Sequence, residues 1–128
     1  MSRSLDANVI LRAVLQDDDR QSPVAMAILT EPCSMLPTVL LEVMWTLNGR
    51  KDWSRDRIYD AMTALFSLPR FEVRYRDAVR WALERYKTGA DFADMLHVAL
   101  SSPHERFTTF DKGIASFSIG APVEIDTI

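Results

Sequence analysis

Apolar and polar positions follow two rhythms along the chain. Val9, Ile10, Ala13 and Val14 recur at helical spacing, so a helix is predicted from Asn8 to Leu15. Residues 2–6 before it read as a short strand, with polar Ser2-Arg3-Ser4 in place of an apolar run. Asp17-Asp18-Asp19 reads as a solvated loop. Ser22-Pro23 then predicts a helix start, a cap followed by proline at the first helical position, running to about Leu29. Cys33–Leu36 is a short apolar strand between Pro32 and Pro37. Thr38 is the expected cap of the next helix, TVLLEVMWTL, and Asn48-Gly49 its stop. Ser54 opens another helix that closes near Leu68-Pro69. FEVR (71–74) alternates as a strand does, and Asp77–Lys87 is helical up to Gly89. A helix over Asp91–Leu100, a β-branched and aromatic strand over Arg106–Phe110, a short helix after Asp111 and a last strand over Pro122–Ile125 complete the reading.

Strands that alternate with helices imply βαβ units. The expected class is α/β: a three-layer α/β/α sandwich on a five-stranded, mostly parallel sheet. With no repeat, linker or low-complexity stretch, residues 1–128 are read as a single domain. In such sheets chemistry gathers at the carboxyl ends of the strands.

Composition narrows the setting. Apolar residues make up 48% and charged residues 26%, an ordinary globular balance. No apolar run reaches the roughly 18 residues of a membrane span, and the N-terminus lacks a signal-peptide pattern. Cys33 is the one cysteine, so no internal disulfide forms; a reducing cytoplasm and a small buried hydrophobe are the expectations. The net charge of −3 is uneven: residues 50–87 hold ten Lys/Arg against six Asp/Glu, and the remainder five against twelve. That division fits a polyanion track beside a carboxylate cluster, and equally fits solvated helix faces.

Four acids stand out. Asp6 and Asp111 fall at the carboxyl ends of predicted strands, where Asp also serves as a helix cap. Glu42 has Thr38, Val39, Trp45 and Thr46 as its helical neighbours, with no Lys or Arg among them, so it must reach water, a distant partner or a metal. Within GADFADMLHVAL (89–100), Asp91 is read as an N-cap and Asp94 stands at the capping-box position, where the longer Glu or Gln is usual. A cluster of acids is costly unless cations neutralise it. Oxygen-only ligands suit Mg²⁺ or Mn²⁺. The matching chemistry is phosphodiester hydrolysis by metal-activated water, which needs no nucleophilic side chain. No GxSxG, Walker loop or Cys–His pairing competes with it.

LDANVILR (5–12), LLEVMWTL (40–47), DFADMLHVAL (91–100) and TTFD (108–111) resemble the four acidic motifs of PIN-domain ribonucleases, and most of all the VapC-type toxins of toxin–antitoxin modules. The resemblance covers nearly the whole chain; each motif is weak alone, and the ordered set of four is specific. It implies a parallel five-stranded sheet and a homodimer that cleaves RNA endonucleolytically with Mg²⁺ or Mn²⁺ and is held by a cognate antitoxin protein. It carries over Asp6, Glu42, Asp94 and Asp111 as catalytic, metal-binding acids, with Asp6 and Asp94 as direct ligands. Asn8 matches the polar residue that orients the first Asp, Thr109 the small hydroxyl position of the last motif, and Asp91 an extra acid of the DFAD variant. Arg12, Arg50, Lys51 and Lys112 are the expected phosphate contacts.

His97, one turn beyond Asp94, is read as a core or surface histidine, and His104 as loop. Trp45, Trp53 and Trp81 are read as core or interface aromatics, with base stacking as the alternative. A receiver-type phosphoacceptor domain would need adjacent acids just after the first strand, and a haloacid-dehalogenase-like phosphatase would need Asp where Asn8 stands. Two further readings stay open: a catalytically silent PIN-fold interaction module, and a PIN nuclease acting on DNA.

Overall fold

A computed structural model describes residues 2–128. Among them, strands and helices alternate: β1 (Arg3–Ser4), α1 (Ala7–Leu15), α2 (Gln21–Ile28), β2 (Cys33–Met35), α3 (Pro37–Asn48), α4 (Arg55–Phe66), β3 (Phe71–Val73), α5 (Arg76–Lys87), α6 (Phe92–Leu100), β4 (Arg106–Thr109), α7 (Lys112–Phe117) and β5 (Glu124–Thr127). The class is α/β, and every strand pairing is parallel. The chain divides into two compact units, one running to Arg76 and one from Asp77 to Ile128.

In the first unit the strand order is β1-β2-β3, with Ser4 beside Ser34 and Ser34 beside Glu72. Central β2 is buried along its whole length, which is why it reads as a short apolar run rather than an alternating one. Cys33 is buried there as a free thiol, and burial raises its pKa, so it behaves as a small hydrophobe. β1 is shorter than expected because Ser2-Arg3-Ser4 is polar and exposed; Leu5 still donates to the Ser34 carbonyl at 2.9 Å. α1 turns Ala7, Ile10, Leu11 and Ala13 inward, and packs on α2 and α3.

Two helix starts differ from expectation. α3 begins at Pro37, with Leu36 at the cap position and no side-chain cap bond, so Thr38 is not the cap. Proline's fixed φ and missing N–H suit the first helical turn. α2 begins at Gln21, and Ser22 lies inside it. Arg20 stands at the cap position with no side-chain cap bond, and Asp18 two residues earlier takes over that role: its Oδ1 accepts from the Arg20 and Gln21 N–H groups at 3.0 and 2.7 Å.

In the second unit β4 and β5 pair in register, Arg106 with Glu124 and Thr109 with Thr127. β5 begins two residues after Pro122, which has no N–H for a ladder. The buried Tyr86 ring meets Phe92 edge-on, with centroids 6.4 Å apart. No helix among the described residues is long and apolar enough to cross a membrane.

Candidate functional site

Asp6 caps α1: its Oδ1 accepts from the Ala7 N–H at 2.8 Å, and the residue is exposed. Glu42 projects from α3 into solvent. Its carboxylate has no hydrogen bond or ion pair among the described residues, as expected for an acid in an apolar helix with no local cation. Asn8, the second residue of α1, is exposed and makes no hydrogen bond to Asp6 among the described residues. It lines a hollow of about 300 Å³ between α1 and α2, together with Arg12. Arg12 is engaged locally, donating to Gln21 Oε1 at 2.8 Å and to Asp17 Oδ1 at 3.1 Å. Arg50 pairs with Asp52 at 3.5 Å, and Lys51 is exposed.

The second unit gathers three acids. Asp91, Asp94 and Asp111 line one cavity of about 120 Å³, together with the apolar side chains of Met95, Ile114 and Phe117. Asp91 caps α6, its Oδ1 accepting from the Asp94 N–H at 2.9 Å. Asp111 caps α7, its Oδ1 accepting from the Gly113 N–H at 2.8 Å. Thr109 Oγ1 accepts from the Asp111 N–H at 3.0 Å, so the small hydroxyl two residues earlier fixes the turn that presents Asp111. A Cβ at Gly113 would stand 3.0 Å from Asp111 Oδ1.

Asp94 differs from both of its neighbours. It is half-buried, and its carboxylate accepts no hydrogen bond among the described residues. The reciprocal capping-box bond does not form, because an aspartate at that position is too short to reach back. Burial raises its pKa, and the negative charges of Asp91 and Asp111 raise it further; His97, exposed one turn on, works against them. An acid held this way lacks a counter-charge. Hard oxygen donors around an uncompensated carboxylate are the donor set a small divalent cation takes. Neither unit by itself brings three His, Cys, Asp or Glu side chains into a metal-holding group among the described residues.

Lys112, the first residue of α7, is exposed, as are His97 and His104. Trp53 carries the Arg57 guanidinium at 3.9 Å and Trp81 that of Arg85 at 4.1 Å, while Trp45 stands 80% exposed on α3 rather than in a core. Two exposed aromatics escaped the sequence reading, Tyr75 and Phe110. Phe110 had a signal: it takes the outward position in the alternation of RFTTF. Tyr75 had none, since only its backbone angle sets it apart.

A model of the PIN domain family matches residues 4–119, a span that runs through both units and all four acidic motifs. No curated protein and no solved structure matches the chain.

Proposed function

The chain belongs to the PIN-domain family, whose members are generally metal-dependent nucleases, and from that premise we propose that it is an endoribonuclease and the toxin of a toxin–antitoxin pair. The observation that carries the reading is Asp94: a half-buried carboxylate with no hydrogen-bond partner among the described residues, its charge opposed by Asp91 and Asp111. The helix dipole favours an acid in the first turn of α6, but the cap needs only Asp91, and a carboxylate left without a partner suits a divalent cation.

In this reading Asp6, Glu42, Asp94 and Asp111 are the acids on which activity depends, within one PIN domain over 1–128. They would hold Mg²⁺ or Mn²⁺. A divalent cation, when bound, supplies the positive charge that acidifies water and shields the phosphate. The chain's own residues do the positioning. Asp91 and Asp111 each give one oxygen to a helix cap and keep the other for the site. Thr109 holds Asp111 in place. Lys51, Lys112, Arg12 and Arg50 are the proposed cations along the phosphate track. The proposed partners are RNA, a second copy of the chain and a cognate antitoxin with a basic side chain for the carboxylates. The proposed location is the cytoplasm.

The test is cleavage of total RNA by the purified chain with Mg²⁺ or Mn²⁺, repeated with EDTA and with Asp6→Ala. Discrete cleavage that disappears in both controls is the expected result. No cleavage with either metal, together with Asp6→Ala more stable than wild type, would make the interaction-module reading the better one. Cleavage of single-stranded DNA but not RNA would move the substrate. Sedimentation and a pulldown from the native host test the homodimer and the antitoxin.

A further inference from the structure

We infer that Tyr75 is a base-stacking residue, its ring carrying a nucleobase of the single-stranded substrate that flanks the phosphate at Asp6. The inference rests on the nuclease reading above and extends it to residues outside the acidic motifs.

The parallel ladder β1-β2-β3 sends three strand ends to one edge. Pairing continues past the strands: Leu5 donates to the Ser34 carbonyl at 2.9 Å and Arg74 to the Met35 carbonyl at 3.0 Å. Asp6, Leu36 and Arg74-Tyr75 therefore leave the sheet side by side. Asp6 and Tyr75 stand two strands apart, about 10 Å by the ordinary strand spacing.

Tyr75 has φ +55°, a conformation that L side chains rarely adopt and that is a genuine outlier for an aromatic residue. The turn is pinned on both sides. Before it, Arg74 N–H is tied to β2. After it, Arg76 donates through Nη2 to the Phe66 carbonyl at 2.6 Å and lies 4.8 Å over the Phe66 ring. A structural aromatic so constrained would be buried, as Phe71 just before it is. Tyr75 is instead 70% exposed, and its ring meets no other ring or cation among the described residues. Arg74 beside it is also exposed, its guanidinium 3.3 Å from Glu72. A free aromatic face beside an exposed guanidinium, at an edge that carries a candidate catalytic acid, is the combination that single-stranded nucleic-acid platforms use.

The experiment measures binding of the full chain to fluorescein-labelled oligouridylate in EDTA, and cleavage of the same RNA with Mn²⁺. Tyr75→Gly removes the ring and suits the positive φ, so the fold is kept; its melting temperature is recorded alongside. The expected result is binding weakened about ten- to a hundredfold in Tyr75→Gly and restored by Tyr75→Phe. One abasic residue, walked along the oligonucleotide, then weakens binding to wild type at one position and has no effect there on Tyr75→Gly. Equal binding by wild type and Tyr75→Gly, or an abasic penalty of the same size in both, overturns the stacking role and makes Tyr75 a surface residue with another use. If this occurs while Asp6→Ala abolishes cleavage, the nuclease reading stands and only the stack falls. Wild type that neither binds nor cleaves RNA overturns both.

Discussion

Two aspartate-rich helix starts put the same side chain to opposite ends. Ahead of α2, Asp18 accepts from the backbone N–H groups of Gln21 and Arg20, which lower its pKa. Its own N–H donates to Ser22 Oγ at 3.3 Å, and Asp17 pairs with Arg12. Every charge in that run has a partner or open water. At α6 the cap is filled by Asp91 alone, and Asp94 stands behind it, half-buried, with its pKa pushed up. In one place like charges are settled by backbone donors. In the other they are left unsettled, which is the condition an incoming cation relieves.

Substitution at Asp94 should break this contrast most sharply. Asp94→Asn is expected to lower RNA cleavage by roughly a thousandfold. It should also raise the melting temperature at neutral pH, because the ionised carboxylate it replaces is penalised in the fold. The sign follows from linkage. A raised folded pKa means that the native state keeps its proton to higher pH, so wild type loses stability as pH rises from 3.8 through the raised value. The advantage of Asp94→Asn should therefore shrink as pH falls toward 3.8, which thermal melts across pH will show.

Mn²⁺ at a hundred times its Kd should stabilise wild type by about 2.7 kcal/mol and Asp94→Asn by far less, read by calorimetry. Asp91→Ala should cost about 1 kcal/mol through the lost cap, and Asp91→Ser should recover most of that stability. The smallest effect belongs to Asp18→Asn. Its lowered pKa gives stability that is present above 3.8 and lost as pH falls through the folded value. The variant should therefore lose stability only above that range and cleave RNA like wild type.

Much of the fold was legible because its signals are local. The α3 stop at Asn48-Gly49, the Ser54 cap of α4 and the apolar run of β2 are each set by residues within a few positions. Errors came where a stronger local rule was hidden behind a familiar one. Pro37 starts α3 without a side-chain cap, and Asp18 caps α2 from a run that read as loop. At the site, the cap roles of Asp6, Asp91 and Asp111 could be seen in the sequence as one of two readings for each. The isolation of Asp94 could not, because it depends on Asp111 arriving from another helix start. Tyr75 was invisible for a related reason: a positive φ in an aromatic residue contradicts propensity, and only surrounding structure imposes it.

Gly113 offers a different kind of handle. The oxygen of Asp111 lies 3.0 Å from where its first side-chain carbon would stand, so the smallest residue, whose N–H already holds that oxygen at 2.8 Å, also sets the room in which the acid sits. Adding one methyl, Gly113→Ala, would press on that carboxylate and tilt it while leaving every ionisable group in the chain unchanged. For anyone who wants an attenuated form of the protein rather than a dead one, that position works as a dimmer where the acids themselves are only switches.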